Sequence, residues 1–211
     1  ARLALECGKF QQVIVADRDL QRANDLAHTL EGPITARQLD YRQEDQLAKS
    51  LGGVSVVLNT TGPFNRDTLS LMRTVIEAGI PYADINDDVE TLQSVFESEY
   101  LGSLAKHRGV GVLPGLGASP GQTNVLARHM AGRMDIVEEV RFFMVNDASY
   151  RSEAVWRHRL ALFSQSALLY DRGRWTQTSG MSEFQDVAFP APWSNIRCYN
   201  VGLETVTIPM S

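Results

Sequence analysis

The stretch VSVVLNTTGPF, residues 54–64, decides the predicted fold because an apolar run changes abruptly into a polar turn. The apolar part is rich in β-branched residues and is typical of a parallel strand that is buried on both faces. The polar part begins where the strand ends, and in open α/β sheets ligands bind outside the carboxyl ends of the strands. The turn therefore predicts a ligand-binding edge or an ordinary β-to-α connection, since the same residue types form turns.

Strand and helix patterns alternate on both sides of this stretch. Strands are predicted at 13–16, 34–39, 54–58, 81–85 and 110–113, and helices at 1–9, 20–30, 44–51, 67–78, 89–106 and 122–130. Strict alternation with short turns is typical of a doubly wound parallel sheet with helices on both faces. We therefore predict an α/β fold with a Rossmann-type dinucleotide-binding domain over residues 1–133.

The alternation stops near Met134. Residues 136–145 predict a long strand and residues 205–208 another, and regular helical crossovers are no longer visible between them. Strands without such crossovers pair in antiparallel fashion. Residues 134–211 are therefore predicted to form part of a second, α+β domain.

Composition excludes several classes of protein. The 211 residues carry a formal net charge of −5, which argues against a nucleic-acid partner because such proteins usually present a basic face. No apolar run is long enough to span a bilayer, so no membrane partner is expected. The two cysteines, Cys7 and Cys198, match no metal or disulfide spacing, so we predict no metal site and a reduced, cytoplasmic protein.

Asp17 ends the first predicted strand, where a dinucleotide-binding sheet places an acid on the adenosine ribose. A carboxylate there accepts hydrogen bonds from the ribose hydroxyls and repels a 2′-phosphate, which indicates NAD. Arg18 follows it and can pair with a 2′-phosphate, which indicates NADP. The predicted cofactor is therefore NAD or NADP, and the simpler alternative is an acid that caps the next helix.

Asp40 ends the second predicted strand, where it could accept from the adenine amino group or simply form a turn. The glycine fingerprint GxGxxG is missing from the start of the chain, and Gly115-Leu116-Gly117 follows a late strand. We expect the first strand and its glycine-rich loop upstream of Ala1. That strand would lie between the strands at 13–16 and 54–58.

A second polar cluster follows the later strands, where the sequence contains Tyr82, Asp84, Asn86 and Asn124. Acids and amides at this edge favour an amine-bearing substrate, because hydride transfer at an amino carbon needs a group that holds the cation and manages a proton. Asp84 and Tyr82 are the candidate catalytic residues, and Asn86 and Asn124 are candidate substrate-binding residues. The alternative is a helix N-terminus decorated with acids.

Five segments stand in order, namely VADR (15–18), LD (39–40), VLNTTGPF (57–64), AGIPYAD (78–84) and PGQTN (120–124). Through them the chain resembles the saccharopine dehydrogenase-like oxidoreductases. The resemblance implies an NAD(P)-dependent oxidoreductase that acts on an amino acid or a secondary amine. It also implies a Rossmann domain followed by an α+β domain that helps to bind substrate and often mediates dimerisation, so a homodimer is expected.

By position, the resemblance implies that Asp17 and Arg18 meet the adenosine ribose and that Tyr82, Asp84 and Asn124 face the substrate. It implies that the nicotinamide side is lined by Asn59, Thr60, Thr61, Gly62 and Pro63. The alternative function is a regulatory module that binds a dinucleotide without catalysis. A polar but non-productive mouth near Asp84 would favour that alternative.

Overall fold

The computed structural model describes residues 1–145, 156, 160, 166–200 and 207–208. Within residues 1–145 the α-helices are α1 (Arg2–Glu6), α2 (Leu20–His28), α3 (Glu44–Ser50), α4 (Arg66–Glu77), α5 (Val89–Phe96), α6 (Glu99–Arg108) and α7 (Thr123–Ala131). The strands are β1 (Val13–Asp17), β2 (Ile34–Gln38), β3 (Val57–Asn59), β4 (Tyr82–Asp84), β5 (Val112–Leu113), β6 (Ser166–Asp171), β7 (Arg174–Ser179), β8 (Phe184–Ala188) and β9 (Asn195–Tyr199). The predicted α/β alternation is thereby confirmed.

The strands up to residue 113 form two parallel sheets. β1 pairs with β2, and β3, β4 and β5 pair in that order. β1 and β3 are not hydrogen-bonded to each other, which agrees with the expected order in which another strand lies between them. That intervening strand itself stays a prediction.

Beyond residue 165 the described strands form antiparallel pairs, β6 with β7 and β8 with β9. This pairing is the kind predicted for the C-terminal part, although the boundary at residue 134 stays a prediction. The strand predicted at 136–145 is wrong, because those residues are all described and adopt no regular structure. Of the strand predicted at 205–208, residues 205 and 206 lie outside the described residues.

The core lies on one face of the β3–β5 sheet and is organised by α4. In α4 the residues Leu71, Met72, Val75 and Ile76 recur at helical spacing, and all four are buried. They pack with residues of α3, α6 and the sheet, including Leu47, Tyr82 and Leu101. Asn65 begins α4 with a capping box in which Thr68 is the reciprocal partner. The core therefore packs against one face of β3 and β4 and fixes the position of their carboxyl ends.

The opposite face of the same sheet is open. Leu58 of β3 and Leu113 of β5 are 60% and 57% exposed, and both lie beside Ala83 in the parallel register. The prediction that residues 54–58 are buried on both faces is therefore wrong for this face. Side chains alternate across a strand, so Val57 packs on the core while Leu58 faces outward.

The long helix predicted at 89–106 is also wrong, because the chain forms α5 and α6 with a break between them. Ser98 interrupts the helix by adopting extended backbone dihedral angles, and its side chain accepts from the Leu101 N–H. Such a side-chain acceptor begins a new helix. None of the helices in the described ranges is long and apolar enough to cross a membrane.

Candidate functional site

Three polar side chains are buried at the carboxyl ends of two neighbouring strands. Asn59 ends β3 and is 4% exposed, while Tyr82 and Asp84 belong to β4 and are 1% and 0% exposed. Asn59 and Asp84 are register partners across the parallel ladder. Period-two alternation then places Tyr82 and Asp84 on one face of their strand. Buried polar groups of this kind need hydrogen-bond partners.

These side chains form one continuous chain of hydrogen bonds. The Asn59 Nδ2 amide donates to the Tyr82 hydroxyl oxygen at 3.0 Å. The Tyr82 hydroxyl donates to Asp84 Oδ2 at 2.9 Å. Burial, followed by the negative charge of Asp84, raises the pKa of the Tyr82 phenol above its ordinary value. Tyr82 is therefore a neutral donor across the physiological pH range.

Asp84 also joins β4 to the chain beyond β5. Its Oδ1 accepts from the backbone N–H of Gly115 at 2.7 Å and from that of Asn86 at 3.0 Å. Its backbone carbonyl accepts from the Leu116 N–H at 2.7 Å. One buried carboxylate thus binds the loops that follow two strands. Truncating such a group would leave several donors unsatisfied.

The turn after β3 is held by the other end of the same network. Asn59 Oδ1 accepts from the Thr61 backbone N–H at 3.0 Å and from the Thr61 hydroxyl at 2.6 Å. Thr61 is half-buried, whereas Thr60, Gly62 and Pro63 are exposed. The predicted nicotinamide-side residues therefore form a single surface turn whose position depends on Asn59.

The loop between β5 and α7 folds tightly back on itself. Gly121 has a φ of +83°, and a Cβ at this position would lie 2.6 Å from the Gly115 carbonyl oxygen. Pro120 is buried beside Gly115, so the two ends of the loop are in contact. Only glycine permits both this dihedral angle and this approach. The loop therefore brings the start of α7 close to the Asp84 network.

Buried polar atoms without a hydrogen-bond partner remain near this loop. Among the described residues they include Asn86 Nδ2, Thr123 Oγ1 and Asn124 Oδ1. The Asn86 amide is oriented by the Asp88 N–H, which donates to Asn86 Oδ1 at 2.8 Å. Asn124 Nδ2 donates to the Thr207 hydroxyl at 2.8 Å. Unsatisfied buried groups in one region are uncommon and call for a ligand or water.

The predicted adenosine end lies on the other parallel sheet. Asp17 is half-buried at the end of β1, and its Oδ1 accepts from the Asp19 N–H at 2.9 Å. Asp19, rather than Asp17, caps α2 by accepting from the N–H groups of Gln21 and Arg22. Arg18 is exposed beside it. The alternative in which Asp17 itself caps the helix is therefore wrong, because its neighbour does so.

Asp40 is engaged by a partner that sequence reasoning missed. The Arg42 guanidinium donates to it in a two-pronged pair, Nε to Oδ1 at 2.9 Å and Nη2 to Oδ2 at 2.6 Å. The pair lowers the pKa of Asp40 from 3.8 to about 2. The Arg42 backbone N–H also donates to Oδ1 at 3.2 Å, so Asp40 forms the turn after β2, while its contact with adenine stays a prediction.

The structure thus gathers the predicted residues into two groups. Asn59, Thr61, Tyr82, Asp84 and Asn86 are linked through hydrogen bonds at the β3–β5 edge. Asp17, Arg18 and Asp40 lie at or just beyond the carboxyl ends of β1 and β2. Sequence reasoning missed Gly121, Thr207 and Arg42. The Pro-Gly pair at 120–121 was a signal for the tight loop, but nothing in the sequence linked Thr207 to Asn124.

A comparison with protein families matches residues 1–110 to the saccharopine dehydrogenase NADP binding domain. The match covers β1 to β4 and the helices between them, which include Asp17, Asn59, Tyr82 and Asp84. The chain belongs to the saccharopine dehydrogenase family. As a member, it carries a Rossmann-like NAD(P)-binding domain and falls among the NAD(P)-dependent oxidoreductases.

The residues of this family member fit a dinucleotide in two respects. Asp17 ends β1 and exposed Arg18 follows it, at the position where ribose hydroxyls or a 2′-phosphate would be held. The turn at 60–63 is small and open, and unpartnered Asn86 Nδ2 lies beyond the neighbouring strand.

Proposed function

We propose that this chain is part of an NAD(P)-dependent oxidoreductase that acts on an amino acid or a secondary amine at the CH–N bond. The observation that carries the proposal is the set of unsatisfied buried groups beside the Asp84 network. Asn86 Nδ2 offers a donor, and Asn124 Oδ1 and Thr123 Oγ1 offer acceptors. An amino acid carries one group of each kind, a carboxylate that accepts and an amine that donates.

Each predicted substrate residue has a role in this proposal. The Asn86 amide would donate to the substrate carboxylate, because the Asp88 N–H already occupies its oxygen. Asn124 Oδ1 would accept from the amine, while its amide nitrogen, Nδ2, donates to the Thr207 hydroxyl. A nicotinamide bound at the turn would supply the hydride chemistry. Side chains that place the amine carbon at a fixed distance from that turn increase the rate by orientation.

The polar atoms of Tyr82 and Asp84, the predicted catalytic pair, already have partners, because the Tyr82 hydroxyl donates to Asp84 and accepts from Asn59. Both Asp84 oxygens already accept hydrogen bonds. We therefore propose that they act through the loops that they hold rather than by direct proton transfer. In the same proposal, Thr60, Gly62 and Pro63 contact the cofactor from the exposed side of the turn.

The cofactor half of the proposal is tested by calorimetry with the full chain. We expect 2′,5′-ADP to bind more tightly than 5′-AMP if Arg18 takes a 2′-phosphate, and Arg18→Gln to remove that preference. Arg22→Gln, at an exposed arginine one turn into α2, is the matched control. Equal affinities in the wild type would assign the site to NAD.

The substrate half is tested by following NAD(P)H absorbance with amino acids and secondary amines. We expect turnover that falls at least tenfold in Asn86→Ala and Asn124→Ala. Gln93→Ala, a half-buried amide in α5, is the control. Cofactor binding without turnover on any amine would reject the substrate assignment.

A second candidate function is a regulatory module that binds the dinucleotide without catalysis. The hydrogen bonds on both Asp84 oxygens favour it, because a carboxylate engaged in this way is not a free acid or base at the mouth. The two candidates differ in one observation: the module would bind cofactor and show no turnover.

We also propose a homodimer in a cytoplasmic location. Cys7 and Cys198 are free thiols, which supports a reducing compartment. The open apolar face at Leu58 and Leu113 supports self-association. Light scattering of the purified chain would measure the oligomeric state, and a monomer at micromolar concentration would reject the dimer.

A further inference from the structure

In the hydrogen-bond network at the β3–β5 edge, each group has a fixed role as donor or acceptor. We call this the polarity of the network, and it is set by Asp84. Two backbone N–H groups, from Asn86 and Gly115, donate to its Oδ1, and the Tyr82 hydroxyl lies against its Oδ2. All three of these neighbours donate to Asp84, so the side chain acts only as an acceptor in this network. The Tyr82 proton must therefore point toward Asp84.

The direction of the Tyr82 hydrogen bond determines how the Asn59 amide is oriented. Because the Tyr82 hydrogen is used by Asp84, its oxygen is left as an acceptor, and the group that faces it must be the Asn59 Nδ2 amide. The Asn59 oxygen is then turned toward Thr61. It accepts both the Thr61 N–H and the Thr61 hydroxyl hydrogen, the latter at 2.6 Å.

We propose that Asp84 and Tyr82 are positioning residues. By orienting the Asn59 amide, they direct the Thr61 hydroxyl hydrogen toward Asn59 Oδ1 and away from the mouth. Thr61 then presents only acceptor lone pairs to the mouth, so the ligand group that it recognises is an N–H donor, such as the carboxamide –NH₂ of a nicotinamide cofactor. This inference rests on the proposed function for the identity of the ligand. The polarity itself rests on the hydrogen bonds alone.

One neighbour bears on the same hydroxyl. The half-buried Tyr41 phenol also interacts with the Thr61 side chain, and burial raises the pKa of Tyr41, so this phenol stays neutral. A threonine oxygen has two lone pairs. With its one hydrogen donated to Asn59, the Thr61 oxygen has room for Tyr41 on one side and for a ligand on the other.

The positioning half of the inference is tested without any ligand, by hydrogen exchange of the Thr61 backbone amide. The wild type should protect this amide because Asn59 Oδ1 accepts it. Asp84→Asn should reduce protection at least tenfold, because the new amide group turns a donor toward Tyr82 and leaves the phenol hydrogen without an acceptor. Tyr82→Phe should have the same effect, because it frees the Asn59 amide.

Two controls separate this effect from a general loss of structure. Tyr100→Phe alters an exposed tyrosine in α6, and Asp45→Asn alters an exposed acid in the first turn of α3. Both should leave Thr61 protection unchanged. Protection of amides in α4 should remain at the wild-type level in all variants. Wild-type protection of Thr61 in Tyr82→Phe and Asp84→Asn would overturn the positioning role.

The polarity is tested with cofactor analogues. NADP⁺ has a carboxamide N–H, whereas the 3-acetylpyridine analogue replaces that group with a methyl ketone and cannot donate. We expect the wild type to prefer NADP⁺ about three- to tenfold, the value of one hydrogen bond. Thr61→Val should remove the preference, Thr61→Ser should keep it, and Asp84→Asn should weaken it.

The outcomes distinguish this inference from the proposed function. Failure of the wild type to bind either dinucleotide or 2′,5′-ADP would reject the cofactor site, and Thr61 amide exchange would still decide the positioning role. Binding with equal affinity for the two analogues would reject the acceptor role of Thr61 and leave the cofactor site standing. An analogue preference that persists in Thr61→Val would also reject the acceptor role of Thr61.

Discussion

At the scale of the residue, Gly121 shows how one position can decide the geometry of a loop. Its backbone lies so close to the Gly115 carbonyl oxygen and to Leu116 that any Cβ must displace them. The same two loop residues are held on their other side by Asp84. A change at Gly121 would therefore be transmitted to the buried network.

Gly121→Ala should lower the free energy of unfolding by about 2 kcal/mol or more, because it adds a steric clash to an unfavourable dihedral angle. Gly102→Ala is the matched control, since Gly102 is exposed within α6 and an added Cβ would meet nothing within 4 Å. That control should gain about 0.5–1 kcal/mol from helix propensity. Urea denaturation measures both, and a neutral Gly121→Ala would contradict the tight loop.

The Asp40–Arg42 pair makes a prediction about pH. The folded-state pKa of Asp40, about 2, lies below the ordinary value of 3.8. The pair therefore contributes stability above about pH 4, and that contribution is lost as the pH falls toward 2. In Arg42→Gln the Asp40 pKa should return toward 3.8, which carboxyl carbon NMR measures.

The control for this titration is the second two-pronged pair, in which Arg197 lowers the pKa of Asp186. Arg197→Gln should raise the pKa of Asp186 and leave that of Asp40 unchanged. An Asp40 pKa that stays near 2 in Arg42→Gln would show that another group holds the charge.

At the scale of the element, the break between α5 and α6 is decided by a local competition. Residues 89–106 have helical spacing throughout, and no proline or glycine marks the break, which is why the pattern predicts one helix. Ser98 competes by capping the N–H of Leu101. A side chain that bonds the backbone locally offers the chain an alternative to the continuous helix.

Ser98→Ala should lower the free energy of unfolding by about 1 kcal/mol, the usual contribution of an N-cap. Ser94→Ala should change it by less than about 0.5 kcal/mol, because Ser94 lies exposed within α5 and alanine favours a helix. Thermal unfolding followed by circular dichroism compares the two. Equal effects would show that Ser98 does not define the start of α6.

At the scale of the whole molecule, the two faces of the β3–β5 sheet differ in what covers them. One face is sealed by α4 and its neighbours, whereas Leu58 and Leu113 face outward on the other. Parallel strands are usually covered on both faces. The hydrophobic stabilisation of this sheet therefore comes mainly from one side.

Leu47→Ala should lower the free energy of unfolding by about 2–5 kcal/mol, because Leu47 is 2% exposed in the core. Leu58→Ala should cost less than about 1 kcal/mol, since its side chain is largely in solvent. Chemical denaturation at two protein concentrations measures both. A large, concentration-dependent cost for Leu58→Ala would show that a second copy covers this face.

The sequence by itself determined the α/β alternation, the parallel strands and the family, because helix and strand periods and turn residues are local properties of the chain. It also indicated that Asn59, Tyr82 and Asp84 belong to one edge, since the carboxyl ends of parallel strands meet there. Only the tertiary structure decided that these side chains are buried and bonded to one another and that Thr207 meets Asn124. Those outcomes depend on which atoms come within 3 Å across distant segments, and no local pattern encodes that distance.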